Sequence, residues 1–268
     1  MEQIHSVPAR PAPDACLSAP GRADPRLAGH VAGYAGFRSG TGAPLAHRLL
    51  PFTAAVVVIP FDGRPALVTG PRATATVDGP TTWGYGVTAG LFPAGATALL
   101  GTPAGALAGA TVELRDLVGP ARADGLAARL AAAPAWAERF ALLDTVLLGW
   151  LDADRHGSPV VAESWRRLQR RDASRLTVAA LAGDLGVSRR YLELGFRREV
   201  GLSPATVARV ARFQAALGLL VRGTDLAGAA HRAGYADQPH FTREARAMAG
   251  VTPAELCAFV QYRPLVAP

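Results

Sequence analysis

Lysine is absent from this chain, so all 28 basic residues among its 268 positions are arginine. Cysteine is nearly absent: Cys16 and Cys257 stand far apart, which excludes a disulfide framework and a zinc-binding cysteine set. Charged residues make up only 18% and half the chain is hydrophobic, a balance that excludes an intrinsically disordered protein. Long apolar runs are missing too. The longest, AAVVVIPF at 54–61, has the length of a strand and not of a membrane span. The first residues, MEQIHSVPARPAPDAC, lack a basic stretch followed by an apolar one, so no secretory signal is expected and a cytoplasmic location is the simplest account.

The charge is unevenly placed. Abundant Ala, Gly and Pro beside arginine suggest a compositional bias that by itself says little about function. Residues 1–162, however, carry 12 Arg against 12 acidic residues, and residues 163–268 carry 16 against 9. The whole excess of +7 therefore lies in the last 106 residues. A uniform bias would have spread it. A basic segment following a neutral one points to a polyanion partner for the C-terminal part.

At this length two domains are expected. Residues 1–28, rich in Pro, Ala and Arg without periodicity, read as a flexible arm. From residue 29, short apolar runs (HVAGYAGF, AAVVVIPF, PALVTG, ATATVDG, WGYGVT) recur at about ten-residue spacing, punctuated by Gly, Pro and Asp, as in a β-sandwich or barrel. Pro93–Leu100 has small helix formers and reads as a short helix. GLAARLAAA at 125–133 and AWAERFALLDTVLLGWL at 135–151 read as two amphipathic helices. Trp136, Phe140, Leu143, Leu147 and Trp150 form an apolar stripe, suited to a core or to a homodimer face. The unit spans 29–153, and a polar linker follows at 154–162.

This half shows no catalytic constellation. His30 and His47 are seventeen residues apart with no companion ligands, so neither metal nor cofactor is expected. Tyr34, Phe37, Trp83, Tyr85 and Phe92 are candidates for lining an apolar effector pocket, with ordinary core packing as the alternative use of each.

The C-terminal part, 163–264, contains one motif twice. TVAALAGDLGVSRRYLELGFRREVGLSPA is followed by DLAGAAHRAGYADQPHFTREARAMAGVTPA, aligned at an offset of 49 after the turn and 48 before it. The second copy thus has one extra residue in its turn. Each reads as a helix, a turn opened by Gly186 or Gly234, and a second helix capped by Ser188 or Asp237, the grammar of a helix-turn-helix. In the first unit Leu192 and Phe196 turn inward, while Arg189, Arg190, Glu193 and Arg197 fall outward with Tyr191 at the edge. In the second, Phe241 turns inward and Gln238, His240, Thr242, Arg243 and Arg246 face out. Arginine reads guanine bidentately, glutamine suits adenine and glutamate accepts from cytosine, so these faces are candidates for a major groove. Between the units, SPATVARVARFQAALGLLVRG is a helix of about 20 residues, roughly 30 Å long, close to one DNA turn of about 34 Å.

Three strings carry a family resemblance: LAGDLGVSRRYL, the long helix with ARFQ, and GYADQPHFTRE followed by AGVTP. Residues 163–263 resemble the AraC/XylS-type DNA-binding domain. The resemblance implies an α+β chain in which an N-terminal β-rich domain (a cupin-like barrel or sandwich with two helices) precedes an all-α double helix-turn-helix domain. It implies a bacterial transcriptional regulator bound to double-stranded DNA in the nucleoid, a small-molecule effector or dimer contact through the first domain, and RNA polymerase as a partner if it activates. Four positions depart from the family pattern. Gly195 and Ala245 stand where bulky apolar residues are usual, and Ala215 and Gly218 where arginine is common. The rival readings are an enzymatic N-terminal domain (a metal-dependent barrel or an alkyltransferase) and a non-specific architectural DNA binder.

Overall fold

A computed structural model describes residues 3–10, 16–152, 154–170, 176–259 and 262–264. Among the described residues nine short strands occupy the first half: β1 Ser6–Pro8, β2 Cys16–Gly21, β3 Val31–Arg38, β4 Leu45–Leu49, β5 Ala55–Pro60, β6 Leu67–Thr69, β7 Thr82–Trp83, β8 Tyr85–Leu91 and β9 Thr111–Glu113. Five helices accompany them: α1 Pro93–Leu100, α2 Leu114–Val118, α3 Pro120–Ala123, α4 Leu126–Ala132 and α5 Trp136–Trp150. The C-terminal half is helical, with α6 Pro159–Leu168, α7 Val178–Asp184, α8 Arg189–Glu199, α9 Pro204–Val221, α10 Leu226–Arg232, α11 Gln238–Ala249 and α12 Pro253–Phe259, before a last strand, β10 Tyr262–Pro264.

The strands form a seven-stranded sheet in the order β10-β2-β3-β8-β5-β6-β9 and a small sheet in the order β1-β4-β7. All pairs are antiparallel except β10 with β2, where the end of the chain adds a parallel strand to the edge of the N-terminal sheet. Strand β5 is buried along its whole length because both faces of the sheet are covered. Alternation divides its side chains. Ala55, Val57 and Ile59 join a core under α1, α4 and α5, while Val56 and Val58 join one built largely from the C-terminal half. The stripe on α5 serves the first of these cores, with Leu143, Leu147 and Trp150 buried. Glycines admit its larger rings: a Cβ at Gly21 or Gly36 would run into Phe140 or Trp136 respectively.

The segment expected to be a flexible arm needs correction over its described residues. β1 pairs with β4, β2 pairs with β3, and Pro25–Leu27 is a 3-10 turn capped by Asp24. Val7 is fully buried, beside helices of the second half, so its apolar contacts outweigh the Pro-rich composition around it. The expected start of the C-terminal helices also moves. α6 opens at Pro159, four residues before Glu163, because the Ser158 hydroxyl accepts from the Val161 N–H and proline occupies the first turn.

Several contacts pack the two halves together, among them the following. Trp165 on α6 is buried, donates its ring N–H to the Thr53 carbonyl at 3.2 Å, and meets Phe92 edge-on. Gln214 on α9 bonds the backbone of Ile4 and Pro51. The 3-10 turn Ala104–Leu107 lies against the C-terminal end of α8, where a Cβ on Gly105 would overlap the Arg198 carbonyl. Gly105→Val is therefore expected to lower stability by about 1–3 kcal/mol through overpacking. Gly149→Ala, whose Cβ would meet nothing, serves as the comparison in a denaturant titration. Equal midpoints for the two variants would contradict this close approach.

Among the described residues no helix is long and apolar enough to cross a membrane.

Candidate nucleic-acid interface

Each helix-turn-helix unit is set by caps and a left-handed glycine. In the first, the Thr177 hydroxyl accepts from Ala180 N–H at 3.1 Å and opens α7. Gly186, at φ +66°, makes the turn that a side chain would strain. The Ser188 hydroxyl then accepts from Tyr191 N–H at 3.1 Å and opens α8. Leu192 and Phe196 are fully buried, which leaves Arg189, Arg190, Tyr191 and Arg197 exposed on the opposite face. Glu193 is half-buried and its carboxylate accepts from Arg189 Nε at 2.9 Å. An exposed i,i+4 pair of this kind contributes only about 0.3–0.5 kcal/mol, so either partner can be redirected to a base at little cost.

In the second unit Asp225 caps α10, Gly234 at φ +84° makes the turn, and the Asp237 carboxylate accepts from His240 N–H at 2.6 Å. Phe241 is fully buried, while Gln238, Arg243 and Arg246 are exposed and Thr242 is half-buried. The extra residue in this turn accommodates Tyr235, which is buried against Phe241 at a ring separation of 4.8 Å. The outward and inward assignments of both second helices thus agree with their helical periodicity.

His240 has a second role that spacing did not reveal. Its Nε2 lies 3.7 Å from Glu244, the centre of a polar cluster. Glu244 also accepts from Arg212 Nη2 at 2.9 Å, lies 3.7 Å from Arg209, and receives the Tyr235 hydroxyl at 3.3 Å. The Arg212 guanidinium stacks on the Tyr235 ring at 4.6 Å. This cluster ties α11 to the connecting helix α9. Its two arginines on α9 are 23 to 35 positions from Tyr235, His240 and Glu244, so no local pattern marks their meeting. The first unit has another such tie: Glu199 Oε2, at the end of α8, accepts from Ser158 N–H at 2.8 Å and so joins α8 to the start of α6. Exposed Leu194 and Arg198 also lie on α8 and were not among the expected readers.

The unusual residues have local reasons. A Cβ on Gly195 would stand 2.6 Å from Val161 Cγ2, so glycine lets α6 lie close against α8. Ala245 is fully buried in a cluster that includes Met248, Phe213, Val7 and Leu50, so part of that core comes from the N-terminal strands. Gly218 is buried and Ala215 half-buried on α9.

The five aromatic residues expected at an effector pocket do not converge. Tyr34 donates its hydroxyl to Asp144 at 2.8 Å and stacks on Phe140; burial raises its pKa. Tyr85 packs beside Phe61 and Trp136 around Arg139, whose guanidinium lies 4.6 Å from the Trp136 ring. Phe37 faces the opposite side of the large sheet, where it meets Trp83 of the small sheet; His47 stacks on Trp83 at 4.5 Å, and Phe92 meets Trp165. Strand alternation has placed these rings on two faces. Burial lowers the His47 pKa to about 4, which keeps that ring neutral near pH 7. Among the described residues no group of three or more His, Cys, Asp or Glu side chains is placed to hold a metal ion.

Comparison with known proteins centres on the second half of the chain. The family model described as a helix-turn-helix domain matches residues 181–258. The C-terminal domain of AraT, a response regulator from Geobacillus stearothermophilus, is 28% identical over 37% of this chain and 84% of its own, with a TM-score of 0.35. A DNA-binding transcriptional dual regulator from Escherichia coli K-12 is 25% identical over 40% of this chain and 94% of its own, at a TM-score of 0.34. An apo form of ToxT from Vibrio cholerae strain SCE256 is 12% identical over 94% of this chain and 100% of its own, at 0.44. A search of curated proteins gave no match.

Proposed function

We propose that residues 181–258, matched by a helix-turn-helix family model, form the AraC-type DNA-binding domain of a transcriptional regulator, and that the chain reads two successive major grooves of one duplex in a sequence-specific way. The observation that carries this reading is the pair of capped helices, α8 and α11, with basic outer faces and joined through α9. At 1.5 Å per residue the 18 residues of α9 span about 27 Å, compatible with half-sites about one DNA turn apart. Arg189, Arg190 and Arg197 on α8, with Gln238, Arg243 and Arg246 on α11, carry the donors for base edges and phosphates. Tyr191, Glu193, His240 and Thr242 complete the contact faces. Ser188 and Asp237 act mainly as caps whose helix N-termini face the polyanion.

In this reading the β-rich half is an effector or interaction domain, and RNA polymerase is a partner where the protein activates. Its setting is the bacterial cytoplasm. A second copy of the chain would have to use a surface other than the inner stripe of α5, which is occupied by the domain's own core. No enzymatic reaction belongs to this reading.

Selection of bound sequences from a random duplex pool tests it. The expected outcome is a two-element consensus with affinity falling steeply as salt rises. Arg189→Ala and Arg243→Ala should each cost about 1–3 kcal/mol and relax preference at one element only. Equal affinity for all duplexes, in the wild type and both variants, would leave only an architectural binder.

A further inference from the structure

A groove opens in the helical half. It has a volume of about 660 Å³ and lies between the end of α6, the start of α7, the outer face of α9 and the end of α10. Its floor is apolar, formed by Leu168, Leu176, Ala208 and Leu219 among others. Its polar margin carries four arginines, Arg170, Arg209, Arg212 and Arg232, beside His231, and no described lining residue is a carboxylate. Glu244 offsets part of the charge of Arg209 and Arg212, and Arg232 bonds the Thr224 hydroxyl. Arg212 Nε, however, is buried without a hydrogen-bond partner. That donor is enclosed, so Arg212 adds positive charge beside the groove while its Nε is not itself open to a ligand.

We propose that this groove is a binding site for a small organic anion with an apolar body, of the aryl or alkyl carboxylate class. The apolar body lies on the alanine and leucine floor, and the carboxylate lies among the arginines. The volume accommodates a ligand of drug-like size, and the concave apolar floor with a few convergent polar groups is the usual form of such a site. A DNA backbone would use the cations but leave the floor uncovered. Because the groove touches α7 of the first unit and α10 of the second, its occupant contacts both helix-turn-helix units at once. The site is separate from the β-rich half and does not rest on the DNA-binding reading, since the free protein alone can be titrated.

The probe is 2-naphthoate, with neutral 2-naphthamide as its comparison, followed by calorimetry on the full chain without DNA. Saturable one-to-one binding with Kd on the order of 1 mM or tighter is expected for 13 heavy atoms at ordinary efficiency. The amide should bind at least about tenfold more weakly, because it lacks the charge. Ala208→Trp fills the floor and should abolish binding. The milder double variant Arg232→Gln with His231→Gln, made at exposed positions, should weaken naphthoate about fivefold while leaving the amide unchanged. No saturable binding, equal binding of acid and amide, or binding insensitive to both variants would each overturn the site. If naphthoate fails to bind while the double variant lowers the salt slope of DNA binding, the cations belong to DNA phosphates and the ligand site is also overturned.

Discussion

Trp165→Ala is expected to lower stability by about 3–5 kcal/mol, the range for emptying a buried aromatic position. Trp165 lies at the joint between the halves, only 5% exposed, in a core that mixes Val56, Val58 and Trp83 from the strands with Leu181, Leu192 and Phe196 from the first helix-turn-helix unit. The substitution empties the space beside Phe92 and leaves the Thr53 carbonyl without its indole donor. Trp165→Phe should keep much of the packing and lose mainly that hydrogen bond, about 1 kcal/mol. Because the core is shared, the loss should appear in both halves. Unfolding followed by near-ultraviolet circular dichroism and by amide exchange on β5 should therefore shift together. An unchanged β5, with only the helical half destabilised, would show the halves to be energetically independent.

Gln214→Leu is expected to cost about 2–4 kcal/mol, from the loss of a connected set of buried hydrogen bonds. Gln214 is 1% exposed on α9. Its Oε1 accepts from Ile4 N–H at 2.9 Å, and its Nε2 donates to the carbonyls of Ile4 at 3.0 Å and Pro51 at 2.8 Å. Leucine has a similar volume and can satisfy none of these groups, so the cost is dominated by polar groups left dry and not by a cavity. The first strand should leave its place in response. Amide exchange at Ile4, and at Leu50, whose N–H bonds the His5 carbonyl, should rise well beyond that of β8. Protection at Ile4 equal to wild type would rule out this staple. A concurrent change in DNA affinity would show that the staple also sets the position of the second unit, since α9 carries both.

These two variants mark where the sequence was informative and where it was not. Helix periodicity and capping chemistry were legible because they act within a few residues. Ser188 and Asp237 cap as their positions suggest, Phe196 and Phe241 turn inward, and the arginines of α8 and α11 face outward. α1 occupies Pro93–Leu100, the span marked by its small helix formers. The polar cluster around Glu244 was invisible, since Arg212, Tyr235 and Glu244 meet only after α9, α10 and α11 have packed. The aromatic residues of the β-rich half misled for a related reason. Composition gave their number, but strand alternation and register decided that Tyr34 and Tyr85 would face one side of the large sheet and Phe37 the other, where Trp83 of the small sheet packs.

From the sequence alone, then, came the identity of the second half: two capped helix-turn-helix units on a connecting helix, with all of the net positive charge on their side of the chain. Those properties depend on local spacing and on charge, both of which can be counted along a chain. Tertiary structure alone decided that the two halves are packed on one another. It places β1 beside the second unit, sets the first unit and α6 over one face of the N-terminal sheet, and returns β10 to that sheet's edge. The physical reason is that a sheet with two apolar faces must cover both, and the helices that cover the second face of β5 begin about a hundred residues after it in sequence.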